Sequence, residues 1–249
     1  MPATRTHRAG VVLLVACGVS CSGVAGAQSS TSFRPRPLSP FAAAKARALM
    51  RDRLPCLGCH RLDGDGGRIG PDLSSLPDTT SAAFVYSMIR DPQGTLPGSA
   101  MPRTPLSQEM LELVASYVVI QLPPAGRSAR VAVPARAAAP AAALHDAKTV
   151  YAKFCAACHG ERGRGDGYNA PFLPVPPAAH ADREAMGRRS DDRLFDAVAA
   201  GGYVVNGSNR MPAFGLTLSA GEIRGLVRYI RDLCGCQGPA WSRAGGAVP

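Results

Sequence analysis

The pentapeptide Cys-x-x-Cys-His occurs twice, as Cys56-Leu57-Gly58-Cys59-His60 and Cys155-Ala156-Ala157-Cys158-His159. Each copy offers two thiols for thioether bonds and a neighbouring imidazole for iron, which is the attachment signature of haem c. With 8 Cys and 5 His in 249 residues, about 0.005 copies are expected by chance, and two are on the order of a one-in-10⁵ event. The chain length suits two small domains better than one large one. It is 46% hydrophobic, but Ala, Gly and Pro supply much of the bulk and only 6% is aromatic, so each core is expected to be thin. A buried haem would supply the missing apolar volume.

Aligning the two motifs exposes a duplication. In the first copy the motif precedes a Gly-rich loop, a helix-like segment opening at Ser81, then Met101-Pro102, then a helix capped by Ser107 with Leu106, Met110, Leu113, Val114 and Tyr117 on one face. The second copy runs in the same order: Gly163 to Gly167, a segment opening at Ser190, Met211-Pro212, then a helix capped by Ser219 with Ile223, Leu226, Val227 and Ile230 as its stripe. Ser39-Pro40 opens a further helix to Arg53, and Asp146 to Ala156 reads as its counterpart. Gly and Pro dominate between motif and Met-Pro, which predicts wrapping loops rather than strands. The predicted fold is all-α, with two tandem helical domains over 38–122 and 145–236, each wrapping one covalently bound haem. A Pro/Ala-rich linker is expected over 123–144 and a disordered tail over 237–249.

The chemistry follows from the motifs. Cys56 and Cys59, and Cys155 and Cys158, lie three apart on a helical turn, so both sulfurs of a pair face one macrocycle edge, with His60 and His159 aimed at the iron. A zinc site would need all four thiols together, and a redox disulfide needs a βαβ setting that is absent. A thioether as sixth ligand closes the iron and raises its potential. Met101 and Met211 are the candidates, since each precedes Pro on a loop before its domain's last helix. Met50, Met88, Met110 and Met186 read as core packing, and His145 and His180 are the rival ligands. Cys234-Gly235-Cys236 has several open readings: a local disulfide, two thiols, a pairing with Cys21, or a Cys ligand to the second haem.

With Cys-x-x-Cys-His, Gly70-Pro71-Asp72-Leu73, Met-Pro and a final aromatic-bearing helix, the chain resembles the small c-type cytochromes with His/Met iron, arranged in tandem as a dihaem cytochrome c. In that family a loop proline offers its carbonyl to the iron-bound histidine. The resemblance therefore implies that role for Pro71 and, in the second copy, for Pro177 of Pro174-Val175-Pro176-Pro177. His180 stands where the family tends to have an apolar residue. The resemblance implies two haem c groups with their iron, and electron carriage with no catalytic residue. Six-coordinate iron leaves no vacancy for a substrate, which agrees. The alternatives are a dihaem enzyme such as a peroxidase with one open haem, or a metal-binding interaction module without haem.

The amino terminus reads as an export signal over 1–27: Arg5 and Arg8, an apolar stretch from Val11 to Ala16, and Ala25-Gly26-Ala27. A rival reading takes Leu14-Val15-Ala16-Cys17 as a lipoprotein signal ending at 16, with Cys17 lipidated. Either one predicts a periplasmic location, with the membrane reached only through a lipid at Cys17. The full chain carries a net charge of +10, and losing two arginines with the signal leaves +8. That balance suits redox partner proteins with acidic docking surfaces, or serves solubility alone. No nucleic-acid motif is present, and the arginines lack the interleaved aromatics that stack bases.

Overall fold

The computed structural model describes residues 33–77, 79–120 and 146–243. The export signal, Cys17, Cys21, His145 and the 123–144 linker lie outside these residues. The chain forms two helical lobes, each with its own apolar core.

Lobe one starts with α1 (Pro40–Asp52), where the Ser39 hydroxyl accepts from Ala42 N and Pro40 takes the first helical position. A single turn, α2 (Cys56–Cys59), carries the first motif. Next come α3 (Ala82–Arg90), capped by Ser81, and α4 (Pro92–Thr95), capped by Asp91. The last helix, α5 (Gln108–Ile120), starts beyond Ser107, whose hydroxyl accepts from Met110 N. Helices α1 and α3 pack on α5, burying Ala46, Met50, Val85, Val114 and Val118 with Leu57 of α2.

Lobe two repeats the plan. Asp146 caps α6 (Ala147–Phe154), and α7 (Ala156–His159) holds the second motif. The short α8 (Arg183–Gly187) and then α9 (Asp191–Ala200), capped by Ser190, lead to α10 (Ala220–Cys234). Ser219 and Glu222 close a reciprocal capping box on α10, whose stripe of Ile223, Leu226, Val227 and Ile230 is buried. The architecture is all-α.

Three local expectations change. The loop after the first motif is not purely irregular. Strands β1 (Arg61–Leu62) and β2 (Asp65–Gly66) form an antiparallel hairpin, because Asp63 and Gly64 both take positive φ (52° and 85°) as a two-residue Asp-Gly turn requires. Lobe one also begins before residue 38. The Phe33 ring stacks on Tyr86 at 4.5 Å, and Arg36 N donates to the Ser116 hydroxyl at 3.2 Å. Finally, part of the expected tail is ordered. Cys234 and Cys236 are disulfide-bonded across Gly235, which takes left-handed φ and turns the chain back, and α11 (Ala240–Arg243) follows. The disulfide removes both sulfurs from consideration as haem ligands. No described helix is long and apolar enough to cross a membrane.

Candidate haem-binding sites

In lobe one, the backbone folds the loop back onto the motif. His60 N donates to Cys56 O at 2.9 Å, Gly67 N to Leu57 O at 3.0 Å, and both Ile69 N and Gly70 N to Cys59 O at 2.9 Å. This return brings Pro71 to His60, whose Nδ1 lies 2.9 Å from the Pro71 carbonyl oxygen. A carbonyl can only accept, so Nδ1 carries the proton and Nε2 keeps its lone pair. Burial holds the imidazole's pKa below its ordinary value, so it stays neutral. Gly70 lies flat against the same ring: a Cβ there would sit 2.4 Å from Cε1 and 2.6 Å from Nδ1. Only glycine fits.

Cys56 and Cys59 are free thiols. Burial pushes Cys56 up to about 11 and Cys59 up to about 12, and for Cys59 the sulfurs of Cys158 and Cys56 add to the effect. Both thiols are therefore protonated and uncharged at neutral pH. Together with His60 they line an apolar cavity of about 160 Å³. Leu54, Leu73, Val85, Met88 and Val118 form part of its wall, and Met101 shares the same cavity. The Gln93 side-chain amide binds the Met101 carbonyl at 2.5 Å, and Met101 N donates to the Ser99 hydroxyl at 3.1 Å, so the loop bearing this thioether is fixed.

In lobe two, His159 N donates to Cys155 O at 2.9 Å, and Gly165 N donates back to His159 O at 2.8 Å. Cys155 and Cys158 are also free, and burial pushes Cys155 up to about 12. His159 Nδ1 lies 2.8 Å from a backbone carbonyl, again leaving Nε2 its lone pair, but the carbonyl belongs to Ala178. Pro177 does not take the role. Its oxygen instead faces Gly165, close enough that a Cβ there would meet it at 2.9 Å, and the chain turns the next carbonyl toward the ring. Met211 and Cys155 pack against one apolar cluster, and the Met211 carbonyl accepts from Gly202 N at 3.1 Å.

His180 is placed by the structure at the proximal side. Its ring stacks on that of His159, with centroids 4.1 Å apart and planes 13° from parallel, and its Nδ1 lies 3.0 Å from the Tyr151 hydroxyl. Rings stacked this closely have no room for a macrocycle between them, so in this arrangement His180 is not a ligand opposite His159. Burial, followed by the fields of His159 and Arg189, holds His180 well below its ordinary pKa and neutral.

Sequence reasoning missed several residues near the sites. Pro212 of lobe two helps to wall the lobe-one cavity. Asn169 and Arg210 of lobe two reach lobe one. Arg210 and Pro212 flank Met211 in the chain, the one signal pointing to them. Among the described residues, no group of three or more His, Cys, Asp or Glu could hold a bare metal ion.

The donor sets fit haem c. Each lobe offers two free, protonated thiols one turn apart beside a neutral imidazole whose Nε2 is available, and in lobe one a thioether shares their apolar cavity.

Comparison with known proteins agrees. Residues 142–230 match the family described as "Cytochrome C oxidase, cbb3-type, subunit III". The chain is 28% identical over 221 residues to the "Cbb3-type cytochrome c oxidase subunit CcoP" of Azospirillum sp. (strain B510), an alignment covering 80% of this chain and 65% of that relative. The chain thus spans about 65% of the length of the curated relative it matches. No solved structure matches. These likenesses support a c-type cytochrome.

Proposed function

We propose that this cytochrome holds two haem c groups, one per lobe, and passes single electrons between redox partner proteins on the periplasmic side of a membrane. When bound, haem supplies a one-electron Fe(III)/Fe(II) couple. The rest belongs to the chain. Cys56 and Cys59 in lobe one, and Cys155 and Cys158 in lobe two, anchor the group by thioether bonds. His60 and Met101, and His159 and Met211, are the iron ligands. The Pro71 and Ala178 carbonyls hold the imidazoles in the tautomer that leaves Nε2 to bind. Apolar walls such as Leu73, Val85 and Val118 keep water from the iron.

One observation carries this reading: in both lobes, two free thiols stand beside an imidazole whose Nδ1 is tied to a carbonyl. With His60 and Met101, and His159 and Met211, as ligands, each iron would be six-coordinate, which would suit carriage rather than turnover of a substrate. The relative's name, an oxidase subunit, supports a place in an oxidase chain, where this protein would act as a shuttle or as an electron-transfer subunit. The net charge of +8 left once residues 1–27 are removed supports an acidic docking surface on a partner. An export signal over residues 1–27, or on the rival reading a lipoprotein signal ending before a lipidated Cys17, would account for that location.

A redox titration of the purified protein, followed by carbon monoxide on the reduced form, tests the reading. Two one-electron waves and no carbon monoxide binding are expected. Binding at one iron in the native protein would point to the open-haem, peroxidase-like alternative instead.

A further inference from the structure

The two Cys-x-x-Cys turns meet at a contact that electron carriage by independent lobes does not require. Asn169 is fully buried. Its backbone N–H is fixed to Ala157 O at 2.9 Å, inside the second motif, and its side chain crosses to lobe one. Nδ2 donates to Gly58 O at 2.9 Å and to Cys158 Sγ at 3.2 Å, while Oδ1 accepts from Arg68 N at 2.6 Å. One carboxamide therefore links the residue preceding Cys59 to the sulfur of Cys158, with both its donors and its acceptor in use.

Lobe one is bare where lobe two arrives. A Cβ on Gly58 would lie 1.9 Å from Arg210 O, and one on Gly67 would lie 2.3 Å from Gly58 O and 2.8 Å from Asn169 Oδ1. Arg210 O is lobe-two backbone that cannot swing aside, so the approach depends on glycine at position 58, and glycine at position 67 leaves the Asn169 amide its place. The neighbourhood is clamped as well. Arg210, only 8% exposed, reaches Asp65 at 3.2 Å, and Asn209 Nδ2 donates to Arg51 O at 3.1 Å. The Arg68 guanidinium lies 3.9 Å over the Phe172 ring.

Thioether bonds at these sulfurs would tie each attachment turn to a macrocycle edge, so a contact that joins the two turns would also bring two edges together. Tunnelling falls steeply with the gap between edges, and a hydrogen-bonded amide shortens the non-bonded part of it. We propose that Asn169 is a positioning residue that locks the two attachment turns together, so that electrons cross directly between the lobes and the protein works as one two-centre conductor. This rests on the reading of two bound haems. The step takes one electron from a ferrous iron in one lobe to a ferric iron in the other. No proton moves, no bond forms or breaks, and no further oxidant is consumed.

The test is pulse reduction of the full, matured protein with less than one electron per molecule, following equilibration between the two haems. Native protein is expected to equilibrate in a first-order phase whose rate is independent of protein concentration. Asn169→Ala, and Asn169→Asp, which keeps the acceptor for Arg68 N but loses both donated bonds, are expected to slow that phase at least tenfold with both haems attached and their spectra unchanged. Native rates in either variant would overturn the proposal. So would a native protein that equilibrates only by collision, a result that decides the matter even if the variants fail to mature. A chain without two attached haems would reject the proposed function instead, and pigment content reveals that before any kinetics.

Discussion

Lobes one and two share an order of parts but differ at the imidazole proposed as the iron ligand. In lobe one, His60 is flanked by a bare glycine, Gly70, and donates to the Pro71 carbonyl. In lobe two, His159 donates to the Ala178 carbonyl and carries a second imidazole on its face, itself tied to Tyr151. On the proposed reading the duplicated skeleton would set what each lobe binds, whereas the unduplicated neighbours would set the polarity around the bound group. Two unequal potentials are the expected consequence, which gives an electron a direction of travel inside one molecule.

The largest effects should come from the thioethers. Met101→Ala and Met211→Ala are each expected to lower one potential by roughly 0.1–0.3 V, a fraction of the range of about 0.8 V set by axial ligands, and to open that iron alone to carbon monoxide. Potentiometry with carbon monoxide difference spectra checks this. If either variant leaves both potentials unchanged, that methionine is not a ligand. Next is Gly70→Ala, whose new methyl would collide with His60; about 1–3 kcal/mol of lobe-one stability should be lost, with the lobe-two spectrum unaffected. Thermal unfolding followed at each haem's own band would show whether the damage stays in one lobe.

A finer probe of the difference is His180→Phe, which keeps a flat ring against His159 and removes the bond to Tyr151. A less polar surrounding disfavours the more highly charged ferric state. The lobe-two potential should therefore rise by on the order of tens of millivolts while lobe one stays put. An equal shift in both lobes would contradict the separation drawn here. The smallest effect concerns Asp72, beside Pro71. Bonds from Ser74 and Arg61 hold its carboxyl below the ordinary value of 3.8. A depressed pKa stabilises the fold above the ordinary value, and the contribution is lost as pH falls through the depressed one. Asp72→Asn should cost roughly 0.5 kcal/mol near neutral pH and nothing in strong acid, since the pair is partly exposed. Denaturant unfolding at both pH values measures it.

The helix ends were legible because capping is local. Ser39, Ser81, Ser190 and Ser219 each accept from a backbone N–H two or three positions into their helix. The Asp63-Gly64 hairpin was equally local but was hidden inside a Gly-rich loop. Pro177 missed by one residue, because a run of prolines does not reveal which carbonyl turns inward. The disulfide at Cys234 and Cys236 stood among several readings that only the turn at Gly235 separates. The roles of Asn169, Arg210 and Pro212 were illegible for a different reason. They exist only where the lobes meet, and a linker's composition says nothing about which faces it brings together.

The central claim is that each lobe holds its own covalently attached haem. Counting haem c per chain by the alkaline pyridine spectrum, after acid-solvent extraction of the protein matured in a cytochrome-producing host, tests it most directly. Two per chain that resist extraction are predicted; one, none, or pigment that leaves with the solvent would contradict the account.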